Sequence, residues 1–194
     1  MTPVVLWDVL GTLVEDPFER VPGWLGYPSA DALFAVKDPE AWHAFERGEL
    51  DEADYATRFF LDRREWDAAG LFARIRAAYR WRPGAQALLE DLRQRGIEMH
   101  AFSNYPCWYR WIEERLGLSR YMPWSFVSCY TGVRKPHPEA FAGVLDELAL
   151  DPEALLFVDD APANRDAATS LGIRAWDPAD LGALRRDLMT GLGE

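Results

Sequence analysis

The sequence is short of several things. Cysteine occurs only twice, at Cys107 and Cys129, and their spacing gives neither a disulfide framework nor a zinc motif. Both are expected to be reduced, buried thiols. Lysine is equally scarce: Lys37 and Lys135 stand beside 19 arginines. Where the chain needs a generic positive charge it uses arginine, so a lysine here answers a more specific chemical demand. No basic residues cluster densely enough to collect phosphates, and the formal net charge is −11. That balance argues against nucleic acid and anionic membrane as partners. It leaves a small anionic substrate open, because a bound metal ion or a local cation overrides the mean field. No apolar run reaches membrane-spanning length, and no basic patch precedes an apolar stretch near the N-terminus; the expected location is the cytoplasm. The three histidines, His43, His100 and His137, have no metal-ligand spacing. His100 alternates into a strand and reads as a satisfied core residue. His43 and His137 read first as surface groups, with an approach to the site as the alternative.

What is present is enough for a sizeable core: 49% of the 194 residues are apolar and 13% aromatic. Near-continuous apolar runs bounded by turn signals predict strands at 3–7, 97–102, 125–129 and 155–159, and a weaker one at 173–176. Helical patterns with legible ends lie at 83–96, 137–150 and 162–172. This alternation predicts an α/β, Rossmann-like fold, an open and mostly parallel sheet with helices on both faces. Residues 15–81 break the alternation with several helical segments, two of which begin at Asp38-Pro39 and Asp51. The expected organisation is therefore a core unit of 1–14 and 82–194 with a small all-helical insertion, 15–81, after the first strand.

In an open parallel sheet, ligands bind outside the carboxyl ends of the strands. The polar residues at those ends are Asp8, Ser103-Asn104, Lys135 (before Pro136) and Asp159-Asp160. Four separate parts of the chain thus converge on one crevice with the parts of a phosphoryl-transfer site. Asp8 and Asp160 would hold one Mg²⁺, an ion that favours carboxylate oxygens, waters and substrate phosphate. Asp8 would attack phosphorus as a carboxylate nucleophile, forming an aspartyl-phosphate. Lys135, a compact point charge, would neutralise the nucleophile and the transferring group. Thr12 and Ser103 would supply hydroxyls, and backbone N–H groups near Gly11 and Asn104 would cradle phosphate oxygens.

The segments DVLGTLV, FSNYP, VRKPHPEAF and FVDDAPANRDAA resemble, in order, the four motifs of the haloacid dehalogenase-like hydrolase superfamily, and the helical insertion resembles its C1 cap. The resemblance implies the Rossmann-like hydrolase fold of that family and Mg²⁺ as cofactor. It makes Asp8 the nucleophile, Ser103 the phosphate-contacting hydroxyl, Lys135 the charge-balancing lysine and Asp160 a metal ligand. Asp159 and Asn164 correspond to accessory residues of the acidic motif, with Asp159 also a candidate metal ligand, and the metal's backbone ligand would be the carbonyl of Leu10.

Leu10 is the departure. In most phosphatases of the family that position is an aspartate that moves protons, a contribution worth ~10²–10⁴ in rate. Its loss leaves several readings open. One is a phosphatase that handles protons by another route, acting on a small-molecule phosphate ester. Others are a 2-haloacid dehalogenase, which generally lacks the acidic pair Asp159-Asp160, a phosphonate-cleaving enzyme with Lys37 as its cap lysine, and a non-catalytic scaffold. The segments EDPFERVPGWLG, AWHAFERGELDE, SNYPCWY and TGVRKPHPE are similar to a small subgroup that includes plant chloroplast flavin mononucleotide phosphatases and also has an apolar residue at the Leu10 position. That resemblance implies flavin mononucleotide as a candidate substrate. An isoalloxazine ring would stack on Trp24, Tyr27, Tyr105, Trp108 or Tyr109, for each of which core packing is the alternative. Lys37 in AVKDPEAW, Arg134, and the stretch ERGELDEAD at 46–54 are expected to be solvated surface.

Overall fold

The computed structural model describes residues 3–179 and 181–191; the ends of the expected core unit at 1–2 and 192–194 lie outside them. Five parallel strands, β1 (Val4–Trp7), β2 (Met99–Ser103), β3 (Phe126–Val127), β4 (Leu155–Val158) and β5 (Arg174–Trp176), form one sheet in the order β3-β2-β1-β4-β5. The chain builds outward from β1 through β2 to β3, then returns to lay β4 on the other side of β1. That reversal is the topological switch point at which open α/β sheets bind ligands.

All four residues of β1 are buried, and their alternation divides the core. Val5 and Trp7 face a large cluster, whereas Val4 and Leu6 face a second one with Phe102, Phe141 and Phe157. Helices α6 (Ala85–Gln94), α7 (Tyr109–Leu116), α8 (Ser128–Thr131), α9 (Pro138–Leu148), α10 (Pro162–Ser170) and α11 (Leu181–Gly191) complete this part. Between β1 and α6 lie α1 (Val21–Trp24), α2 (Ala30–Phe34), α3 (Pro39–Glu46), α4 (Glu52–Arg58) and α5 (Ala68–Ala78), with no strand among the described residues. Asp38 and Asp51 accept hydrogen bonds from the first-turn amides of α3 and α4, as their sequence positions predict. Phe45, Tyr55, Phe59 and Phe72 of this helical segment join the same apolar cluster as Val5 and Trp7, so its packing is continuous with one face of the sheet.

Several expectations need correction. The run SFVSC is a strand only at Phe126–Val127, because Ser128 starts the short helix α8, closed by Gly132 at φ 75. Ser128 Oγ holds that turn by donating to the carbonyl of Glu46 and accepting from the amide of Tyr105. Helix α6 starts two residues later than expected, after Gly84 at φ 85. Cys107 is exposed and Cys129 half-buried, so neither is the buried thiol expected. Burial of its surroundings, then the neighbouring Cys107, pushes the Cys129 thiol up to about 11, which leaves it protonated and inert at neutral pH. Among the described residues, no helix is long and apolar enough to cross a membrane.

Candidate active site

Strand register builds the centre. Trp7 pairs with Val158, so the residues that follow, Asp8 and Asp159, leave the sheet side by side; the Asp8 amide continues the ladder to the Val158 carbonyl at 2.9 Å. Ser103 ends β2 next door. Lys135 reaches this point from the loop before α9, fully buried, and all three of its ammonium protons find acceptors. They go to Asp8 Oδ1 at 2.8 Å, Asp159 Oδ2 at 2.7 Å and the Phe102 carbonyl at 2.6 Å. Burial works against the charge on Lys135, but Asp8 and Asp159 outweigh it and hold the lysine protonated. Burial likewise raises the Asp8 carboxyl, to about 7, against the pull of Lys135, with Asp159 and Asp160 adding to the rise.

The remaining predicted residues support this centre in different ways. Asp159 is buried and saturated: besides Lys135 it accepts from the Ala161 amide at 2.8 Å and from Asn164 Nδ2 at 3.0 Å. Asn104 uses its side chain on the backbone of Lys135, donating to its carbonyl and accepting from its amide. Thr12, expected to offer a hydroxyl to substrate, is fully buried, and its Oγ1 accepts from the Asp160 amide at 3.2 Å. The Gly11 amide, expected to cradle phosphate, donates instead to the Val14 carbonyl at 2.8 Å; the residue has φ 80, and a Cβ there would meet Asp160 Oδ2. The positive φ is what calls for glycine here, since the Asp160 carboxylate could swing away from a side chain. Arg82 donates to the carbonyls of Gly11 and Thr12 and fixes the same loop.

Carboxylate oxygens of Asp8, Asp159 and Asp160 lie within 4.8 Å of one another. Three acids and one ammonium leave this cluster with excess negative charge. Hard oxygen donors in that excess fit a divalent cation such as Mg²⁺. Asp160 is the exposed member, and burial of its surroundings, then the nearby Asp159, raises its carboxyl as well.

Above the centre is a cavity of about 380 Å³, lined by Asp8, Leu10, Ser103, Asn104, Tyr105, Lys135, Asp159, Asp160 and Asn164 on one side. Phe18, Lys37, Trp42, Glu46 and Phe59 of the helical segment contribute to the opposite wall. Of the aromatics proposed for stacking, only Tyr105 touches the cavity, and its hydroxyl is paired with Tyr79 at 2.6 Å. Trp108 is buried, with its indole N–H donated to Glu52, and Trp24 and Tyr27 line a separate outer groove. Trp42 and Phe18 line the cavity instead, packed edge to face with ring centroids 4.8 Å apart.

Two acid–base groups expected at the surface also belong to this wall. Lys37 is partly buried there, not solvated, because the helical segment folds it over Trp42 and Phe59. Glu46 is buried and forms a close ion pair with Arg134 at 2.6 Å, so neither is free surface charge. Burial pushes the Glu46 carboxyl up to about 7 and the Lys37 ammonium down to about 8. His137 instead caps α9 and is exposed, and His43 does not line the cavity. His100 is satisfied within the fold by Ser125 and Glu98. The sequence signal for Lys37 was its rarity; for Glu46, within an acidic run, there was none.

A family model for haloacid dehalogenase-like hydrolases matches residues 2–172. The chain belongs to the haloacid dehalogenase-like hydrolase family. Within it, the chain is 40% identical over 187 residues to a chloroplast flavin mononucleotide hydrolase of Arabidopsis thaliana, covering 96% of this chain and 76% of that protein. It is 30% identical over 156 residues to a phosphoserine phosphatase of Thermus thermophilus, covering 78% of this chain and 60% of the relative. Among solved structures, a family enzyme of Bacteroides thetaiotaomicron in complex with magnesium and inorganic phosphate superposes with a TM-score of 0.76 at 20% identity, covering 95% of this chain and 99% of that one. An L-2-haloacid dehalogenase of Xanthobacter autotrophicus gives 0.65 at 20% identity, covering 98% and 84%. At those identities the two structures establish the shared hydrolase fold. This member of the family is thus an enzyme of the hydrolase class with a five-stranded Rossmann-like core.

Proposed function

We propose that this hydrolase cleaves small organic phosphate monoesters by transferring the phosphoryl group to Asp8, with flavin mononucleotide as the first candidate substrate. The observation that carries the reading is the buried lysine that donates to Asp8 and Asp159 together. It fixes one oxygen of Asp8 and leaves Oδ2 as the attacking oxygen. In the first step an Asp8–phosphorus bond forms, the ester P–O bond breaks, and the leaving oxygen takes a proton. In the second, water attacks phosphorus, the acyl-phosphate bond breaks, and Asp8 returns as a carboxylate with inorganic phosphate released. Ser103, at the cavity surface, is placed to hold a phosphate oxygen.

Asp8, Asp160 and the Leu10 carbonyl would hold Mg²⁺, with Asp159 behind them, and the ion would supply charge neutralisation for the incoming phosphate. Leu10 supplies no proton. The leaving oxygen therefore draws on water or on a cavity acid outside the cluster, among which are Asp16 and Glu46. In this reading the helical segment 15–81 acts as a cap over a core of 1–14 and 82–194, and it shapes the space for the leaving group. The 40% identity to a flavin mononucleotide hydrolase supports the choice of substrate. The test is phosphate release from flavin mononucleotide, phosphoserine and simple aryl phosphates, with Mg²⁺ and with chelator. Mg²⁺-dependent release that is absent from Asp8→Asn supports the reading; release that Asp8→Asn retains removes it.

A further inference from the structure

Of 21 basic residues only two are lysines, and both line the active-site cavity, while among the described residues no arginine does. The two differ completely in their surroundings. Lys135 has three acceptors for three protons. Lys37 Nζ has no carboxylate within 4.0 Å among the described residues; it lies 5.0 Å from the Trp42 ring centroid and 5.4 Å from that of Phe59. Glu46, the acid whose charge acts on it, is already engaged with Arg134. Lys37 is thus a cation on an aromatic wall with hydrogen-bonding capacity still unused, and burial already lowers its proton affinity. Such a group gains most from an acceptor brought by a ligand. The cavity, at about 380 Å³, falls in the size range of sites for drug-sized ligands and leaves room beyond a phosphate.

We propose that Lys37 is a specificity-determining residue of a leaving-group subsite, donating to a carbonyl oxygen or ring nitrogen on the edge of a planar aromatic group that packs against the aromatic wall of Phe18, Trp42 and Phe59. This deepens the phosphatase reading and rests on it for the position of the phosphate. A flavin, with an acceptor-rich pyrimidine edge, has this chemistry; a phenyl group has the plane without the edge. Hydrogen bonds to charged donors set the scale of discrimination at about 10–100-fold.

The experiment measures riboflavin binding by quenching of its fluorescence, in wild type, Lys37→Met and Lys37→Arg. It is paired with kcat/KM for flavin mononucleotide and phenyl phosphate. Lys37→Met is expected to weaken riboflavin binding about 10–100-fold and to lower the flavin-to-phenyl ratio of kcat/KM by a similar factor, with partial rescue in Lys37→Arg. Riboflavin binding by Lys37→Met equal to wild type, or an equal fall on both esters with the ratio preserved, overturns the proposal. So does a wild type that cleaves phenyl phosphate without binding riboflavin, an outcome that leaves the phosphatase reading standing. Lys37-dependent riboflavin binding by a protein that releases phosphate from neither of these esters nor from phosphoserine upholds Lys37 as the donor of an aromatic subsite and removes the phosphatase reading.

Discussion

On the floor of the cavity, Lys135 is locked between Asp8 and Asp159, Asn164 holds Asp159, and Asn104 holds the backbone of Lys135. On the helical wall, Lys37 lies over aromatic rings with no ion-pair partner within 4.0 Å among the described residues, and Glu46 is held from one side by Arg134. The polar groups of the floor are paired with one another, which suits the stabilisation of charge in a fixed geometry. The wall keeps polar capacity in reserve, which suits recognition of whatever the phosphate carries. On the proposed reading, the reacting and the selecting regions differ in how completely each satisfies its own polar groups.

Breaking the floor should have the largest effects. Asp8→Asn keeps the shape and removes the proposed nucleophile; kcat for phosphate release is expected to fall by about 10⁴-fold or more, read by single-turnover kinetics. Lys135→Met leaves two buried carboxylates without their cation. Unfolding in urea should show a loss of about 3–5 kcal/mol, together with loss of activity. A stability equal to wild type would mean that the ion-pair centre is not the buried network described.

The wall should respond to pH more than to truncation. Burial raises the Glu46 carboxyl from 4.5 to about 7, so the folded protein holds this proton more tightly than the unfolded chain does. Its contribution, about 3 kcal/mol, is complete below pH 4.5 and is lost as pH climbs through about 7. Glu46→Gln should flatten the slope of urea stability across that window. A variant with the wild-type slope would place Glu46 in solvent.

The smallest change tests the seam between β1 and the acidic motif. Gly11→Ala forces a side chain into φ 80 and against Asp160. An expected loss of about 1–2 kcal/mol in stability should accompany weaker Mg²⁺ binding by calorimetry. Unchanged metal binding would separate the Gly11 loop from the metal centre.

Much of the floor was legible from sequence because its residues sit at strand ends, where local pattern determines position. The buried run PVVLW leads directly to Asp8 and LLFVD to Asp159, and parallel pairing then sets them side by side. The same logic failed for SFVSC, whose continuation is decided by Ser128 bonding to Glu46, 82 residues earlier in the chain. It failed again for Thr12, a polar residue close to Asp8 that faces inward to the Asp160 amide. The wall was nearly illegible. Whether Lys37 or Glu46 meets solvent depends on how the helical segment closes against the sheet, and a helix-start pattern carries no trace of that. The aromatic residues show the same limit, since Trp42 and Trp108 look alike in sequence while one lines the cavity and the other fills the core.

The most direct test of the account is to quench the enzyme with acid during turnover of flavin mononucleotide and Mg²⁺ and to weigh the intact protein. The expected result is a species heavier by one phosphoryl group, mapped by peptide sequencing to Asp8 and absent from Asp8→Asn. Steady release of phosphate with no phosphorylated protein, or with the group on another residue, would contradict it.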